Sequence, residues 1–433
     1  MRRGLCVGVL RETKNGERRA PLTPPDVEWL ISRGISVEVE SSSVRIFKDS
    51  EYKKSGAVIV NKFRKASLLV GIKPPYPQDV YADKIYMLFS HTHKGQQQGM
   101  SLLKSFFKNR VTLIDYEKIV GPFGRRRVYF GGFAGICGMI DSLHYYGKKL
   151  HSKGLKNPFS SIKPAHQYRS LKSLRQSVIK AGKKIRSQGV PREISPLIIG
   201  VTGHGNVSEG AQEVLELLGP VEIHPRQMRE FVRHQKGMQR RVYKIVFLRE
   251  EKIRAKDKKS FYFEEYLKNP KRFESNLDQY IPYLNMLIHG SYWDKEYPRL
   301  VTLKMINNIA RRRRMRLEFI GDISCDINGS VELTYKAGCN CPVYTYDPIK
   351  KSYHDGYKAR GITIFAIDNL PSELPLEASA EFSYLIREYV YQIAAHGVKD
   401  ITYHVAIPAE IRRATIVEGG KLTGNFNYLK KII

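Results

Sequence analysis

The sequence predicts an α/β chain of two doubly wound domains, each a parallel sheet with helices on both faces. Two observations carry this. Short apolar runs alternate with helical stretches from Leu5 to Ile114, and such alternation implies a parallel sheet covered by helices. Later, the apolar run Leu197 to Val201 enters the turn Gly203-His204-Gly205 and leaves as a helix. A length of 433 residues is enough for two or three domains.

Strands are expected at Leu5 to Leu10, Ile35 to Val39, Ala57 to Val60, Leu68 to Ile72, Met87 to Ser90 and Val111 to Ile114. Thr23-Pro24-Pro25-Asp26 opens a helix, with Thr23 as cap and proline in the first turn. Residues 131–150 read as a helix whose small residues, among them Gly131, Gly132, Gly135 and Gly138, allow close approach to another backbone. Residues 225–300, rich in charge and tyrosine, read as a mixed helical and loop insertion. Strands resume at Leu317 to Ile320 and Ile362 to Ile367, and a helix is expected from Glu377 to Ala395. The resulting division is 1–130 plus 380–433 for one domain, and 131–379 for the other, with the basic insertion at about 225–300 inside it.

The turn after Val201 has the makings of a dinucleotide site. Gly203 permits a tight turn, and Gly205 lets a pyrophosphate approach the backbone. The helix beginning at Asn206 and Val207 supplies free N–H groups and a positive dipole. Gly210 falls two residues later than the usual third glycine and is expected to let the helix pack on its strand.

Open α/β sheets place ligands at the C-terminal ends of their strands. In the first domain those ends carry Arg11-Glu12-Thr13-Lys14 with Glu17-Arg18-Arg19, then Lys73, then His91-Thr92-His93-Lys94, then Asp115-Tyr116-Glu117. Arginine at 19 and 126 can bind carboxylates bidentately. Lys73, withdrawn from water beside other cations, can titrate near neutrality, and His91 can do so without a large shift. With a nicotinamide added, such a site suits hydride transfer to a carbonyl or imine of a carboxylate-bearing substrate.

The net charge is +31, from 73 basic and 42 acidic residues. The basic residues are spread out, the dense run being Arg311 to Arg314, and no zinc-finger, RNP or homeodomain pattern accompanies them. A basic surface that attracts anionic substrates is the reading preferred to nucleic-acid binding. No apolar run is long enough to span a membrane, and Leu5 to Leu10 is too short for the core of a secretory signal. Five cysteines without framework spacing point to an intracellular reducing compartment, cytoplasmic or mitochondrial matrix. Cys339-Asn340-Cys341 lacks a second ligand pair, so no metal is expected.

Residues 7–24 (VGVLRETKNGERRAPLTP), 71–75 (GIKPP), 89–94 (FSHTHK), 114–118 (IDYEK), 131–140 (GGFAGICGMI), 201–212 (VTGHGNVSEGAQ), 291–301 (SYWDKEYPRLV), 321–332 (GDISCDINGSVE) and 367–378 (IDNLPSELPLEA) carry a resemblance. In order and spacing, from about residue 5 to 430, the chain resembles lysine-ketoglutarate reductase. That is the saccharopine-forming half of α-aminoadipic semialdehyde synthase, in the alanine dehydrogenase/saccharopine dehydrogenase superfamily. The resemblance implies two Rossmann-like domains flanking a catalytic cleft. It implies condensation of L-lysine with 2-oxoglutarate and reduction of the imine to saccharopine, in lysine degradation. It also implies an acid–base pair at Lys73 and His91, with Lys14, Glu17, Arg19, Glu117 and Arg126 at substrate-contacting positions. Asp368 and Asn369 would lie near the nicotinamide. The chain would be a one-activity protein or a piece of a bifunctional one, and a homo-oligomer is compatible with it.

Two departures bear on the cofactor. His204 stands where relatives often carry a small or hydroxyl residue. The strand after the glycine helix ends Val221-Glu222-Ile223-His224-Pro225-Arg226, without the terminal acid that usually binds the ribose 2′-hydroxyl of NAD. His224 and Arg226 therefore favour a 2′-phosphate, and NADPH over NADH. Two other readings stay open. One is an amino-acid dehydrogenase of the alanine dehydrogenase type, against which the 225–300 insertion argues. The other is a non-catalytic, basic nucleic-acid-binding relative.

Overall fold

A computed structural model of the chain describes residues 5–124, 126–234, 240–257, 259–312, 315–338, 340–396 and 401–432. The chain divides into two compact units. One runs up to Phe130 and takes up again at Pro375; the other is Gly131–Leu374.

The first unit opens with six strands, β1 (Cys6–Val9), β2 (Val37–Glu40), β3 (Val58–Val60), β4 (Ala66–Val70), β5 (Ile85–Leu88) and β6 (Thr112–Asp115). All six pair in parallel, in the spatial order 6-5-4-1-2-3. The residues of β1, β2, β5 and β6 are buried throughout. Burial on both faces explains why β1 and β5 are near-continuously apolar rather than alternating, whereas β2 buries Glu38 and Glu40 among its valines. The order reverses between β1 and β4, so the ends of β1, β4, β5 and β6 lie beside a switch point, the usual place for a ligand in such sheets.

The helix Pro24–Ile31 starts where expected, but Thr23 does not cap it through its hydroxyl. The hydroxyl donates to Asp26 Oδ2 at 2.9 Å, and it is the Thr23 carbonyl that accepts from Val27 N–H at 2.9 Å. Asp26 is drawn away because Ser383 Oγ and Arg387 Nη1 also donate to it.

Among the described residues the second unit has ten strands: β7 (Leu197–Thr202), β8 (Val221–Glu222), β9 (Val242–Phe247), β10 (Ile253–Ala255), β11 (Phe273–Ser275), β12 (Met286–His289), β13 (Phe319–Asp322), β14 (Val343–Asp347), β15 (Ser352–Asp355) and β16 (Ile362–Phe365). Eight of them form a sheet in the order 15-14-16-13-12-7-9-8, while β10 and β11 form a separate hairpin. The sheet is parallel from β16 through β8, and antiparallel at β14 and β15. The charged stretch read as an insertion thus contributes both neighbours of β7, namely β9 and β12. Charge concealed β9: Lys244 sits in mid-strand, and its ammonium group is held by Glu216 at 2.5 Å and Glu222 at 2.7 Å.

The helix Gly131–Ser152 packs on the helix Asn206–Glu216 through backbone rather than side chains. A Cβ at Gly135 would stand 2.0 Å from Val207 O, and one at Gly210 would stand 2.1 Å from Gly132 O. Gly210 is therefore small for the sake of this helix–helix contact, not for packing on the strand.

The chain returns to the first unit with the helix Pro375–His396 and two short strands, β17 (Thr415–Glu418) and β18 (Lys421–Leu422). Ser379 and Ser383 hydroxyls accept the N–H groups of Ala20 and Thr23, both at 2.9 Å. β17 pairs antiparallel with β6, and β18 with β17, so each large sheet has a parallel body and an antiparallel margin. Among the described residues, no helix is long and apolar enough to cross a membrane.

Candidate active site

In the first unit the ends of four strands converge on a network of charged groups. The chain leaving β1 brings Glu12, whose two carboxylate oxygens accept the N–H groups of Ile72 at 2.7 Å and Lys73 at 2.9 Å. Glu12 thereby ties the end of β1 to the end of β4 and sets the backbone that carries Lys73. Burial pushes the Glu12 carboxyl up to about 7, against the lowering effect of these two N–H groups. Lys73 moves the other way. Withdrawal from water, then the nearby Arg19 charge, lowers its pKa, and Glu17 opposes this in part. A lysine so placed has a larger neutral fraction near physiological pH than a surface lysine.

Glu17 and Arg19 form a buried fork. Arg19 Nε donates to Glu17 Oε1 at 2.8 Å and Nη2 donates to Oε2 at 2.6 Å, while the guanidinium lies 4.1 Å over the Phe130 ring. This bidentate edge, expected to meet a substrate carboxylate, is turned toward Glu17. Lys14, by contrast, is exposed.

Past β5 the chain turns sharply, with His91 in the left-handed region at φ 57°. Asp115, at the end of β6, holds this turn. Its Oδ2 accepts Ser90 N–H at 3.0 Å, Ser90 O–H at 2.5 Å and His91 N–H at 3.2 Å, and its Oδ1 accepts Glu117 N–H at 2.8 Å. The His91 ring lies nearly parallel to the Phe89 ring, 6.4 Å between centroids.

Glu117 is the hub. His91 Nδ1 lies 3.4 Å, His93 Nε2 3.2 Å and Lys94 Nζ 3.3 Å from its Oε2, and Arg126 Nη1 lies 3.4 Å from Oε1. Burial disfavours its ionisation, but the His91 hydrogen bond and the Lys94 and Arg126 charges outweigh that, holding the carboxyl well below the usual range. His93, Asp115 and Glu117 offer ligand atoms within 4.8 Å of one another. The set does not suit a cation: Lys94 and Arg126 share the Glu117 carboxylate, and Asp115 Oδ2 already accepts three donors. Cys339 of the C-x-C pair lies outside the described residues.

In the second unit, the loop after β7 has Gly203 at φ 93°, with a Cβ there only 2.8 Å from Ser291 Oγ. A side chain is thus excluded twice over. Gly205 caps the helix Asn206–Glu216, and nothing lies within 4 Å of where its Cβ would be. The open space beside Gly205 and the exposed Asn206 fits a diphosphate against the helix start. Val207 is half-buried. Beneath the turn, Lys252 Nζ donates to Ser291 Oγ at 2.6 Å, Ser291 Oγ donates to Thr202 Oγ1 at 3.3 Å, and Thr202 Oγ1 is 2.8 Å from His289 Nδ1.

His224 and Arg226 follow the edge strand β8, whereas the strand hydrogen-bonded to β7 is β9. His224 Nδ1 accepts from Arg226 N–H at 3.2 Å, and Glu222 is committed to Lys244. Asp368, exposed, and Asn369 follow β16.

Residues 8–137 match the alanine dehydrogenase/PNT N-terminal domain family. The chain is 35% identical over 98% of its length to α-aminoadipic semialdehyde synthase of Arabidopsis thaliana, and 34% identical over 98% to the mitochondrial α-aminoadipic semialdehyde synthase of Mus musculus. It spans 41% and 48% of those proteins, so less than half the length of each. It is also 26% identical to an NAD(+), L-lysine-forming saccharopine dehydrogenase of Emericella nidulans, covering 90% of that protein. The chain is thus similar to members of the alanine dehydrogenase and saccharopine dehydrogenase superfamily. A solved L-alanine dehydrogenase matches in fold over 99% of both chains, with a TM-score of 0.63 at 18% identity. A transhydrogenase from Sinorhizobium meliloti matches at a TM-score of 0.59 and 14% identity, over 96% of this chain and all of the other.

Reading the sequence alone overlooked Glu12 as the tie between β1 and β4, and His93 and Lys94 as partners of Glu117. It also overlooked Arg249 and Lys252 at the end of β9. The run Val242 to Leu248, rich in β-branched and aromatic residues, was the available signal for that strand.

Proposed function

We propose that this chain is a saccharopine-forming reductase, joining L-lysine to 2-oxoglutarate and reducing the resulting imine with NADPH. The observation that carries the reading is Lys73. It is a lysine with a lowered pKa, held at the end of β4 by Glu12 and placed on the same strand-end row as His91. The alignment of 98% of the chain with α-aminoadipic semialdehyde synthases supports the substrate assignment.

In this reading Lys73 and His91 exchange protons with the substrate amine nitrogen and carbonyl oxygen, through carbinolamine formation, loss of water and imine reduction. Glu117 keeps the His91 ring oriented. Lys14, Arg19 and Arg126 provide positive charge for the carboxylates of 2-oxoglutarate and lysine, with Glu17 holding Arg19 in place. Gly203, Gly205, Asn206 and Val207 hold the dinucleotide, with Asp368 and Asn369 toward its nicotinamide. Bound NADPH supplies the hydride. The proposed setting is an intracellular reducing compartment, cytosolic or mitochondrial.

The test is NADPH absorbance with purified chain, lysine and 2-oxoglutarate, each left out in turn, and with ammonium replacing lysine. Oxidation is expected only when all three are present. Oxidation with ammonium in place of lysine would instead support an alanine dehydrogenase-type activity and overturn the proposal.

A further inference from the structure

A cavity of about 390 Å³ opens beside the Gly203–Gly205 turn and reaches the end of β9. Its charged walls are Arg249 and Lys252, and among the described residues no aspartate or glutamate lines it. Two cations facing one space without a carboxylate repel each other and favour an anion between them. Burial first, and then the Arg249 charge, lowers the pKa of Lys252 to about 8. A bound anion would relieve both effects. The Arg249 guanidinium is stacked 4.0 Å over the Phe263 ring. Stacking uses the face of the guanidinium and leaves its edge donors for a ligand. Phe263 and Tyr266 add aromatic wall to the same cavity.

Topology says what the anion is. In a doubly wound dinucleotide fold, the ribose next to adenine is read at the end of the strand adjacent to the glycine-turn strand. Here that strand is β9, paired with β7 along its whole length from Leu197↔Val242 to Thr202↔Phe247. The strand that follows β7 in sequence, β8, lies one place further out. The residues at the decisive strand end are therefore Leu248 and Arg249, not His224 and Arg226.

We propose that Arg249, supported by Lys252, is the specificity determinant that binds the 2′-phosphate of NADPH, with the adenine against the aromatic wall. This deepens the proposed function and rests on its assignment of a dinucleotide to the Gly203–Gly205 turn.

Isothermal titration of the full chain with adenosine 2′,5′-bisphosphate and with 5′-AMP tests it without any turnover. The unmodified chain is expected to bind the bisphosphate at least about tenfold more tightly, as a charge-assisted phosphate contact should confer. Arg249→Gln should remove that preference while changing 5′-AMP affinity less than about twofold. Arg226→Gln should leave both unchanged. Equal weakening of both ligands in Arg249→Gln would mean that the arginine serves a phosphate common to NAD and NADP, and would overturn the proposal. So would loss of the preference in Arg226→Gln with Arg249→Gln unaffected. If the unmodified chain, with an intact circular dichroism melt, binds neither nucleotide, the dinucleotide assignment itself fails. If it binds the bisphosphate and Arg249→Gln does too, only the residue assignment fails.

Discussion

The Lys73 amine and the Glu12 carboxylate depend on each other through one backbone N–H. Replacing Lys73 by Met keeps the length and apolar stem of the side chain while removing its proton-carrying group. Lys73→Met should lower kcat by about 10²- to 10⁴-fold, the usual worth of a positioned acid–base group, with an unchanged thermal melt by circular dichroism. Glu12 makes a different prediction. Burial raises its carboxyl in the folded state to about 7, above the ordinary 4.5. The folded state therefore holds the Glu12 proton more tightly than the unfolded state does. The stability this contributes is fully present below about pH 4.5 and declines until the pH passes about 7. Urea titrations across that range should show the unmodified chain losing stability relative to Glu12→Gln as pH rises. A constant difference would contradict the assignment. At this scale the sequence was legible in position: Lys73 and His91 stand just past the ends of β4 and β5, where the apolar runs stop. It was not legible where two side chains consume each other. Nothing in Glu17-Arg18-Arg19 reveals that the Arg19 fork closes on Glu17, because that depends on burial and a rotamer.

Among the elements, the β7 turn and its helix were readable because every cue is local: an apolar run, a glycine turn and a helical continuation within a few residues. The partner of Gly210 was not, since the Gly132 carbonyl lies on a helix some eighty residues earlier in the chain. With 2.1 Å between a Cβ at 210 and that carbonyl oxygen, Gly210→Ala must force two helices apart. It should cost about 1–3 kcal/mol, as overpacking does, measured by urea unfolding, and should weaken dinucleotide binding because the displaced helix carries Asn206 and Val207. Gly205→Ala, with open space at its Cβ, should unfold like the unmodified chain. β9 was missed for a physical reason as well. Its mid-strand Lys244 looks like a solvent residue until Glu216 and Glu222 are seen to meet it. With β9 unseen, the expected ribose contact was read at the end of β8, the next strand in the chain.

For the whole molecule, the net charge of +31 exceeds what the strand-end network requires, but it has a measurable consequence. The proposed substrates 2-oxoglutarate and NADPH are both polyanions, and a strongly basic protein raises their local concentration until salt screens the field. KM for both should rise severalfold between about 0.05 and 0.5 M salt while kcat changes little; KM values that stay level would show that the charge serves another purpose. Gel-shift titration with RNA at about 0.15 M salt should show only weak, sequence-independent binding, as diffuse charge confers.

On the proposed reading, the strand ends of the first unit carry the acid–base chemistry of saccharopine formation. The most direct measurement is mass-spectrometric detection of saccharopine from lysine, 2-oxoglutarate and NADPH, with the unmodified chain and Lys73→Met compared side by side. The account predicts saccharopine from the first and at least about a hundredfold less from the second, both proteins being equally folded. Equal product from the two, or none from the folded unmodified chain, would contradict it.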